Sequence, residues 1–171
     1  MELFFNEFTS FPASILLKMG EENFNLDSGP ILDINAVQLD LSIVESGEEF
    51  FCQGKLEGNI KLECSRCLIE YTRDIKCDID FIVCSKDFYD KQHENRVDSE
   101  DYLFFSDKNL KVDLKPIILQ SFLLEVSMMP LCKDDCRGLC AKCGTNLNNS
   151  DCDCIIENID HRWDSLKKLS E

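Results

Sequence analysis

Apolar and polar residues alternate along the middle of the chain in three successive runs, which polar turns separate. A period of two is typical of strands that bury one face, so the runs predict an antiparallel β meander. Whether the meander curls into a partial barrel stays open. Gly54 and Gly58 interrupt the second run and predict a bulge or bend there. The apolar positions of the runs are Val37, Leu39, Leu41 and Ile43, then Phe50, Cys52, Leu56, Ile60, Leu62 and Cys64, then Ile69, Tyr71, Ile75, Cys77, Ile79, Phe81 and Val83.

The pattern changes after the third run. Residues 85–101 are polar and charged and predict a solvated loop. From Asp113 to Met129 the chain predicts a helix with Asp113 as a cap and Pro116 in its first turn. This helix is apolar on most sides, so we expect it to be buried against the sheet. The predicted fold class is therefore α+β: a single domain over 1–171 with a sheet-and-helix core at 1–130, a cysteine-rich segment at 131–156 and a C-terminal helix at 157–171.

Composition indicates a globular protein in a reducing compartment. Of the 171 residues, 44% are hydrophobic and 30% are charged. No apolar run approaches the roughly 18 residues that would span a membrane, and the N-terminus lacks the basic region of a secretory signal. We therefore expect a cytoplasmic protein. Its eleven cysteines then point to metal ligands more than to disulfides.

The strongest chemical signal is the segment "LCKDDCRGLCAKCGTNLNNSDCDC" at 131–154. Cys140 and Cys143, followed by a glycine, have the spacing of a zinc knuckle. After eight intervening residues, Cys152 and Cys154 can complete a tetrahedron of four thiolates. Zinc prefers such closed four-sulfur sites when its role is structural, although four thiolates can also hold an iron–sulfur cluster.

Four further cysteines suggest a second site. Cys64 and Cys67 lie in a predicted turn between two strands, and Cys132 and Cys136 follow the predicted helix. If the helix packs on the sheet, its end can lie over this turn, so we expect these four cysteines to form one zinc site. A redox pair or a turn without metal at 64–67, and an exchange of cysteines between the sites, are the alternatives. Cys52 and Cys77 fall on the apolar phase of their strands and are predicted to be core residues.

The formal net charge of −15 disfavours a broad nucleic-acid surface. Four basic residues near the cysteines are the candidates for a local RNA or partner contact, or they only balance thiolate charge: Arg66, Lys133, Arg137 and Lys142. No phosphate loop or catalytic triad occurs, and closed zinc sites leave no open coordination position. We therefore expect a binding protein that is not an enzyme.

Three stretches, "LECSRCL", "PLCKDDCRGLCAKCGTNLN…CDC" and "DHRWDSLKKL", resemble the YceD family of large-ribosomal-RNA-subunit accumulation proteins over about residues 60–169. The resemblance implies a role in ribosome biogenesis, in the accumulation or processing of large-subunit ribosomal RNA. It also implies that histidines replace Cys132 and Cys136 in some members, which suits a zinc site. For an acidic chain, the expected partner is a ribosomal protein, a processing nuclease or a pre-ribosomal large-subunit particle, with direct RNA contact secondary. An RNA-binding zinc ribbon and a thiol-based or zinc-responsive switch are the alternative functions.

Overall fold

The computed structural model describes residues 1–20, 24, 26, 30–92, 101–105 and 110–154. Within them the chain forms seven strands, one 3-10 turn and two helices. The strands are β1 (Glu2–Phe4), β2 (Ala13–Met19), β3 (Ile31–Ser46), β4 (Glu49–Glu63), β5 (Glu70–Cys84), β6 (Tyr102–Phe104) and β7 (Lys111–Asp113); the turn is Phe5–Glu7, and the helices are α1 (Lys86–Gln92) and α2 (Lys115–Glu125). The predicted C-terminal helix at 157–171 lies outside the described residues. In the described part, no helix is long and apolar enough to cross a membrane.

The predicted meander is confirmed and forms the centre of a five-stranded sheet in the order β2-β3-β4-β5-β6. β3, β4 and β5 pair antiparallel along nearly their whole length. Their alternating apolar side chains bury one face, as the near-complete burial of Leu39, Leu56 and Ile79 illustrates. The fold is thus α+β with a mostly antiparallel sheet and a cysteine-rich region near the C-terminus.

The predicted bulge at Gly54 and Gly58 is wrong, because the β3–β4 register runs through both glycines without a break. The irregularities lie earlier in β3, between Ile31 and Asp33 and between Ile34 and Ala36. Glycine is needed at 58 for close approach: a Cβ there would stand 2.3 Å from Cζ of Phe122 in α2. Glycine at this position therefore leaves room for the Phe122 ring where the helix packs on the sheet.

α2 buries only one face, which corrects the expectation that it is covered on most sides. Ile117, Ile118 and Phe122 are buried, whereas Leu123 and Leu124 are exposed. The helix also ends at Glu125, earlier than the predicted end at Met129. From there the chain passes through bends to Pro130, whose carbonyl accepts a hydrogen bond from Ser65 N, and leads directly into the cysteine-rich segment.

The first strand of the chain and the strand that precedes α2 form a second, two-stranded sheet. β1 pairs antiparallel with β7, so that Leu3 lies opposite Val112. β6 adds to β5 in parallel orientation over only three residues. The expectation of a loop over residues 85–101 is partly wrong, because α1 occupies its first half. Its Tyr89 is buried and packs edge-on against Tyr102 of β6, with ring centroids 4.8 Å apart.

Candidate metal centres

The structure brings Cys64, Cys67, Cys132 and Cys136 together, and we call these four the junction cluster. All four Sγ atoms lie within 4.8 Å of one another. The distance from Cys64 Sγ to Cys136 Sγ is 3.7 Å, and that from Cys67 Sγ to Cys132 Sγ is 3.6 Å. Sulfurs at about 2.3 Å from a tetrahedral zinc ion lie about 3.8 Å apart, whereas bonded sulfurs of a disulfide lie about 2.05 Å apart. The spacing therefore fits a shared metal ion and not a disulfide.

A second group consists of Cys140, Cys143, Cys152 and Cys154, which we call the terminal cluster. Its Sγ atoms also lie within 4.8 Å of one another. Cys140 is buried, but Cys143 is exposed and the other two are half-buried. In the junction cluster, by contrast, three of the four cysteines are buried. The two clusters thus match in composition and differ in their access to solvent.

The turns at "CSRC" and "CAKC" have the same backbone hydrogen bonds. In the first, Cys64 N donates to Ile69 O at 2.9 Å, and Leu68 N donates to Cys64 O at 2.9 Å. In the second, the equivalent bonds start at Cys140, with Gly144 N donating to Cys140 O at 2.8 Å. This geometry turns amides toward the first sulfur of the pair: Lys142 N lies 3.4 Å from Cys140 Sγ. Both pairs therefore have the local structure of a zinc knuckle.

The two turns differ at one equivalent position. The residue after the second cysteine has a positive φ in both, 74° at Gly144 and 58° at Leu68. Glycine adopts this left-handed conformation at little cost, whereas a leucine side chain raises its energy by roughly 1–2 kcal/mol. Leu68 is also exposed. The turn at 64–67 thus carries a strained apolar residue where its counterpart has glycine.

Backbone contacts attach the cysteine-rich segment to the sheet at the "CSRC" turn. Ser65 N donates to Pro130 O at 2.8 Å, and Leu139 N donates to Arg66 O at 3.2 Å. The Arg66 side chain crosses the same junction, with Nη1 2.8 Å from Cys136 O. Gly138 lets the two segments approach closely, because a Cβ there would meet Arg66 O at 3.0 Å. The junction cluster is therefore the centre of a wider interface.

Asn148 contacts the junction cluster from the loop between Cys143 and Cys152 and was not identified from the sequence. Its Nδ2 donates to Cys136 Sγ at 3.3 Å, and its Oδ1 accepts from Arg137 N at 2.9 Å. It stands on the loop that returns from the terminal cluster, held there by hydrogen bonds to Asn146 Oδ1. An amide donor to a thiolate tunes a metal site from outside its ligand set. The asparagine-rich stretch "TNLNNS" was the available signal.

Within each cluster the pKa falls for two thiols and rises for the other two. Burial raises the pKa of Cys64, yet backbone hydrogen bonds, the strongest from Cys132, lower it to about 6. In the terminal cluster, Thr145 Oγ1 lies 3.1 Å from Cys143 Sγ and lowers the pKa of Cys143 to about 6. Burial raises the pKa of Cys132 to about 12, and the neighbouring Cys143 raises that of Cys154 to about 12. A bound cation is what would allow all four thiols of a cluster to ionise together.

Tyr71 gives an independent sign of a missing partner at the junction cluster. Its ring packs against the cluster, and its buried hydroxyl has no hydrogen-bond partner among the described residues. Burial raises its pKa, and the thiols of Cys64 and Cys132 contribute to the rise. A buried hydroxyl without a partner is costly, and metal-bound thiolates accept hydrogen bonds. The donor set and its surroundings therefore fit a metal ion.

The four predicted basic contact residues lie around the clusters, in the turns and loops that carry the cysteines. Besides the bond from Arg66 described above, Arg137 Nη1 lies 2.9 Å from Asp151 Oδ1, and Lys133 Nζ lies 3.6 Å from Asp135 Oδ1. Lys142 is exposed on the knuckle turn. Exposed ion pairs of this kind are weak, so they leave the side chains able to exchange partners.

The remaining cysteines lie in the strands. Cys52 is buried in the core, as predicted, and burial raises its pKa to about 12. Cys77 is half-buried and packs against the core. Cys84 is buried, and burial raises its pKa to about 11. None of the three belongs to either cluster.

These features define an α+β protein with two four-cysteine clusters that could each hold a metal ion, one of them fastening a cysteine-rich segment to a sheet. The family model described as "Large ribosomal RNA subunit accumulation protein YceD" matches residues 52–170. The chain belongs to the YceD family.

Curated relatives agree with this assignment. The "Large ribosomal RNA subunit accumulation protein YCED homolog 1, chloroplastic" of Arabidopsis thaliana is 36% identical over 75 residues, which cover 44% of this chain and 23% of that protein. Its Zea mays counterpart is 34% identical over 64 residues, covering 37% and 22%. An uncharacterized protein of Mycobacterium tuberculosis is 26% identical over 152 residues, covering 89% of this chain and 68% of the relative. The match thus spans less than a quarter of either plant protein. No solved structure matches the chain significantly.

Proposed function

We propose that this chain is a ribosome-biogenesis factor without catalytic activity, which supports the accumulation or processing of large-subunit ribosomal RNA by binding. In this proposal each cluster holds one zinc ion, and the ions are structural. Cys64, Cys67, Cys132 and Cys136 are the ligands of one ion, and Cys140, Cys143, Cys152 and Cys154 those of the other. The name of the family and of its plant members supports the role in ribosomal RNA accumulation.

The observation that carries the zinc-binding part is the junction cluster, whose four sulfurs come from two segments far apart in the chain. Zinc suits it because four thiolates at tetrahedral spacing close its coordination shell. A closed shell leaves no position for an activated water molecule, which supports a structural role over a catalytic one.

Charge supports a protein as the main partner. The net charge of −15 opposes extended contact with phosphate, and the segment 131–154 holds four acidic residues against three basic ones. Each zinc ion with four thiolates adds two more negative charges. The partner is therefore a basic protein, such as a ribosomal protein or the protein surface of a pre-ribosomal large-subunit particle, in the cytoplasm.

Direct RNA contact is secondary in this proposal and rests on Arg66, Lys133, Arg137 and Lys142. The first three contact groups of the cysteine-rich region itself, which supports charge balance as their main role. Binding of the purified protein to ribosomal RNA at low and high salt tests the point. Tight binding that falls steeply with added salt and is weakened by Lys142→Gln would make RNA the main partner.

The biological role is tested by deleting the gene in its source organism and measuring the ratio of large- to small-subunit ribosomal RNA, with precursor RNAs resolved on the same gel. We expect the ratio to fall and the wild-type gene to restore it. Cys64→Ser should restore it poorly, whereas Cys77→Ser, which changes a cysteine outside both clusters, should restore it fully. An unchanged ratio in the deletion strain would refute the role.

The metal is tested separately on protein purified without chelators. We expect two zinc ions per chain by mass spectrometry of the metal content. A single ion would contradict the two-site arrangement, and visible absorption with bound iron would replace zinc by an iron–sulfur cluster.

A further inference from the structure

Large apolar side chains are exposed where the sheet, the end of α2 and the cysteine-rich segment meet. Leu124 is 80% exposed, Met128 99% and Met129 71%, and across the junction Leu68 is 58% and Ile69 43% exposed. We call these five residues the junction patch. A concentration of exposed apolar side chains like this marks an interaction surface more often than scattered single residues do.

Hydrogen bonds hold the two halves of the patch in place. Ser65 N donates to Pro130 O at 2.8 Å, which fixes the residues before Pro130 next to the turn that bears Leu68. Val126 N donates to Phe122 O at 3.2 Å and caps the helix. The chain that presents the methionines is thus tied at both ends. A partner would meet a surface that is largely formed beforehand.

Leu68 supplies an independent reason to assign a contact here. The matched turn of the terminal cluster has Gly144 at this position, and both residues have a positive φ. A glycine would relieve the strain at 68 and remove an apolar side chain from water, so folding alone favours glycine. Backbone strain retained together with an exposed apolar side chain points to a role in binding.

The charges around the patch specify the partner's chemistry. Five exposed carboxylates lie within six positions of its members in the chain, with Glu70 and Glu125 directly adjacent: Glu63, Glu70, Glu125, Asp134 and Asp135. Two of these carboxylates are in ion pairs, Glu70 with Lys61 and Asp135 with Lys133, and Arg66 places a further cation two residues before Leu68. The five carboxylates still outnumber these three cations. The patch therefore has an apolar centre with an acidic surround, and a complementary surface is apolar with basic flanks.

We propose that the junction patch binds an amphipathic, basic helix of a protein partner. Methionine side chains are flexible and polarisable, and together with acidic neighbours they suit the apolar face of such a helix. Leucine or phenylalanine on the helix would contact Leu68, Leu124 and Met128, while its lysines and arginines would face the carboxylates. This inference rests on the proposed function, and it adds the chemistry of the segment by which the protein partner binds.

The test uses the zinc-loaded full chain and two synthetic peptides of about 18 residues, or five helical turns. Both consist of leucine and lysine in equal composition. One has its leucines in a single helical stripe, and the other has them scrambled. Fluorescence anisotropy should show binding of the striped peptide that is at least about tenfold tighter than that of the scrambled one.

Variants then locate the site. Leu68→Gly and Met128→Ser should each weaken binding of the striped peptide about tenfold or more, the effect expected from removing a central apolar contact. Leu16→Ser, a matched change at an exposed leucine of the edge strand β2, should leave it unchanged. Because Leu68→Gly also relieves strain, its zinc content and thermal midpoint should be equal to or above those of the wild type. Loss of binding then cannot come from misfolding.

Three results would overturn the proposal: equal binding of both peptides, unchanged binding by the two patch variants, or a stripe of glutamate and leucine that binds as well as the lysine one. Self-association in sedimentation that Met128→Ser abolishes would also overturn it, by making a second copy the occupant. Ribosomal RNA ratios in a strain carrying Leu68→Gly separate the two hypotheses. Normal ratios there, with abnormal ratios in the deletion strain, would refute the patch and leave the proposed function standing.

Discussion

Replacing Cys64 by serine should release the cysteine-rich segment from the sheet and leave the terminal cluster intact. Cys64 directly follows β4 and is buried, and its Sγ is 3.7 Å from that of Cys136. Three remaining thiolates with water as a fourth ligand would hold zinc more weakly than four. Under competition from a chelator, we therefore expect one zinc ion per chain instead of two. The matched variant Cys143→Ser should also lose one ion, but from the other cluster.

The two variants should differ in stability because the clusters close loops of different length. The junction cluster links Cys67 to Cys132 across 65 positions, whereas the terminal cluster links Cys143 to Cys152 across nine. If a metal cross-link restricts the unfolded chain as a disulfide does, the longer loop contributes about 4 kcal/mol and the shorter about 2.5 kcal/mol. Opening the junction cluster should thus cost about 1.5 kcal/mol more.

Urea unfolding followed by circular dichroism measures this difference, and hydrogen exchange locates it. In Cys64→Ser the amides of Ser65 and Leu139, which bond across the junction, should lose protection, while those within β3 and β4 keep theirs. In Cys143→Ser the junction amides should stay protected. Two bound zinc ions in Cys64→Ser, or equal destabilisation and equal exchange in both variants, would refute the assignment of the junction cluster as the attachment point.

Gly58→Ala should destabilise the fold by about 1–3 kcal/mol, because its Cβ would overlap the phenyl ring that packs there; Gly20→Ala, with no atom within 4 Å of the new Cβ, is the control in the same urea titration. Asn148→Ala removes the amide that donates to Cys136 Sγ and should weaken zinc binding at the junction cluster by about 10- to 100-fold in chelator competition. Asn149→Ala should not, and equal effects of the two would argue against a specific bond. Removing all metal with a chelator should leave the β-sheet signal in circular dichroism, because the apolar core lies between sheet and helix, while the cysteine-rich segment loses its exchange protection. Loss of the sheet signal would show that the core itself depends on metal.

The meander was predictable because its information is local: alternation of apolar residues fixes which face of each strand is buried. The position of α2 followed in the same way from its apolar residues and Pro116. What a one-dimensional pattern omits is which side of a helix meets the core. Leu123 and Leu124 read as core residues by composition, but the helix packs with Phe122 against Gly58 and leaves both leucines exposed.

Pairings between distant segments could not be predicted. β1 and β7 are three residues each and show no periodicity of their own, so only their partner defines them. The cysteine grouping was an exception, because tetrahedral coordination limits how pairs of thiols combine and the helix offered a route between them. Asn148 escaped prediction since a side-chain amide in a polar loop resembles its neighbours until the thiol it contacts is in place.

These contacts join residues that lie far apart in the chain, so during synthesis they can form only in a fixed order. The meander is complete once Cys84 has emerged from the ribosome, but β1 must wait for β7, and Cys64 and Cys67 must wait for Cys132 and Cys136. Until then a strand edge and two thiols remain unprotected on an otherwise folded sheet. Both closures come after the meander, so if the junction cluster holds zinc as proposed, zinc shortage should leave chains arrested between these two steps.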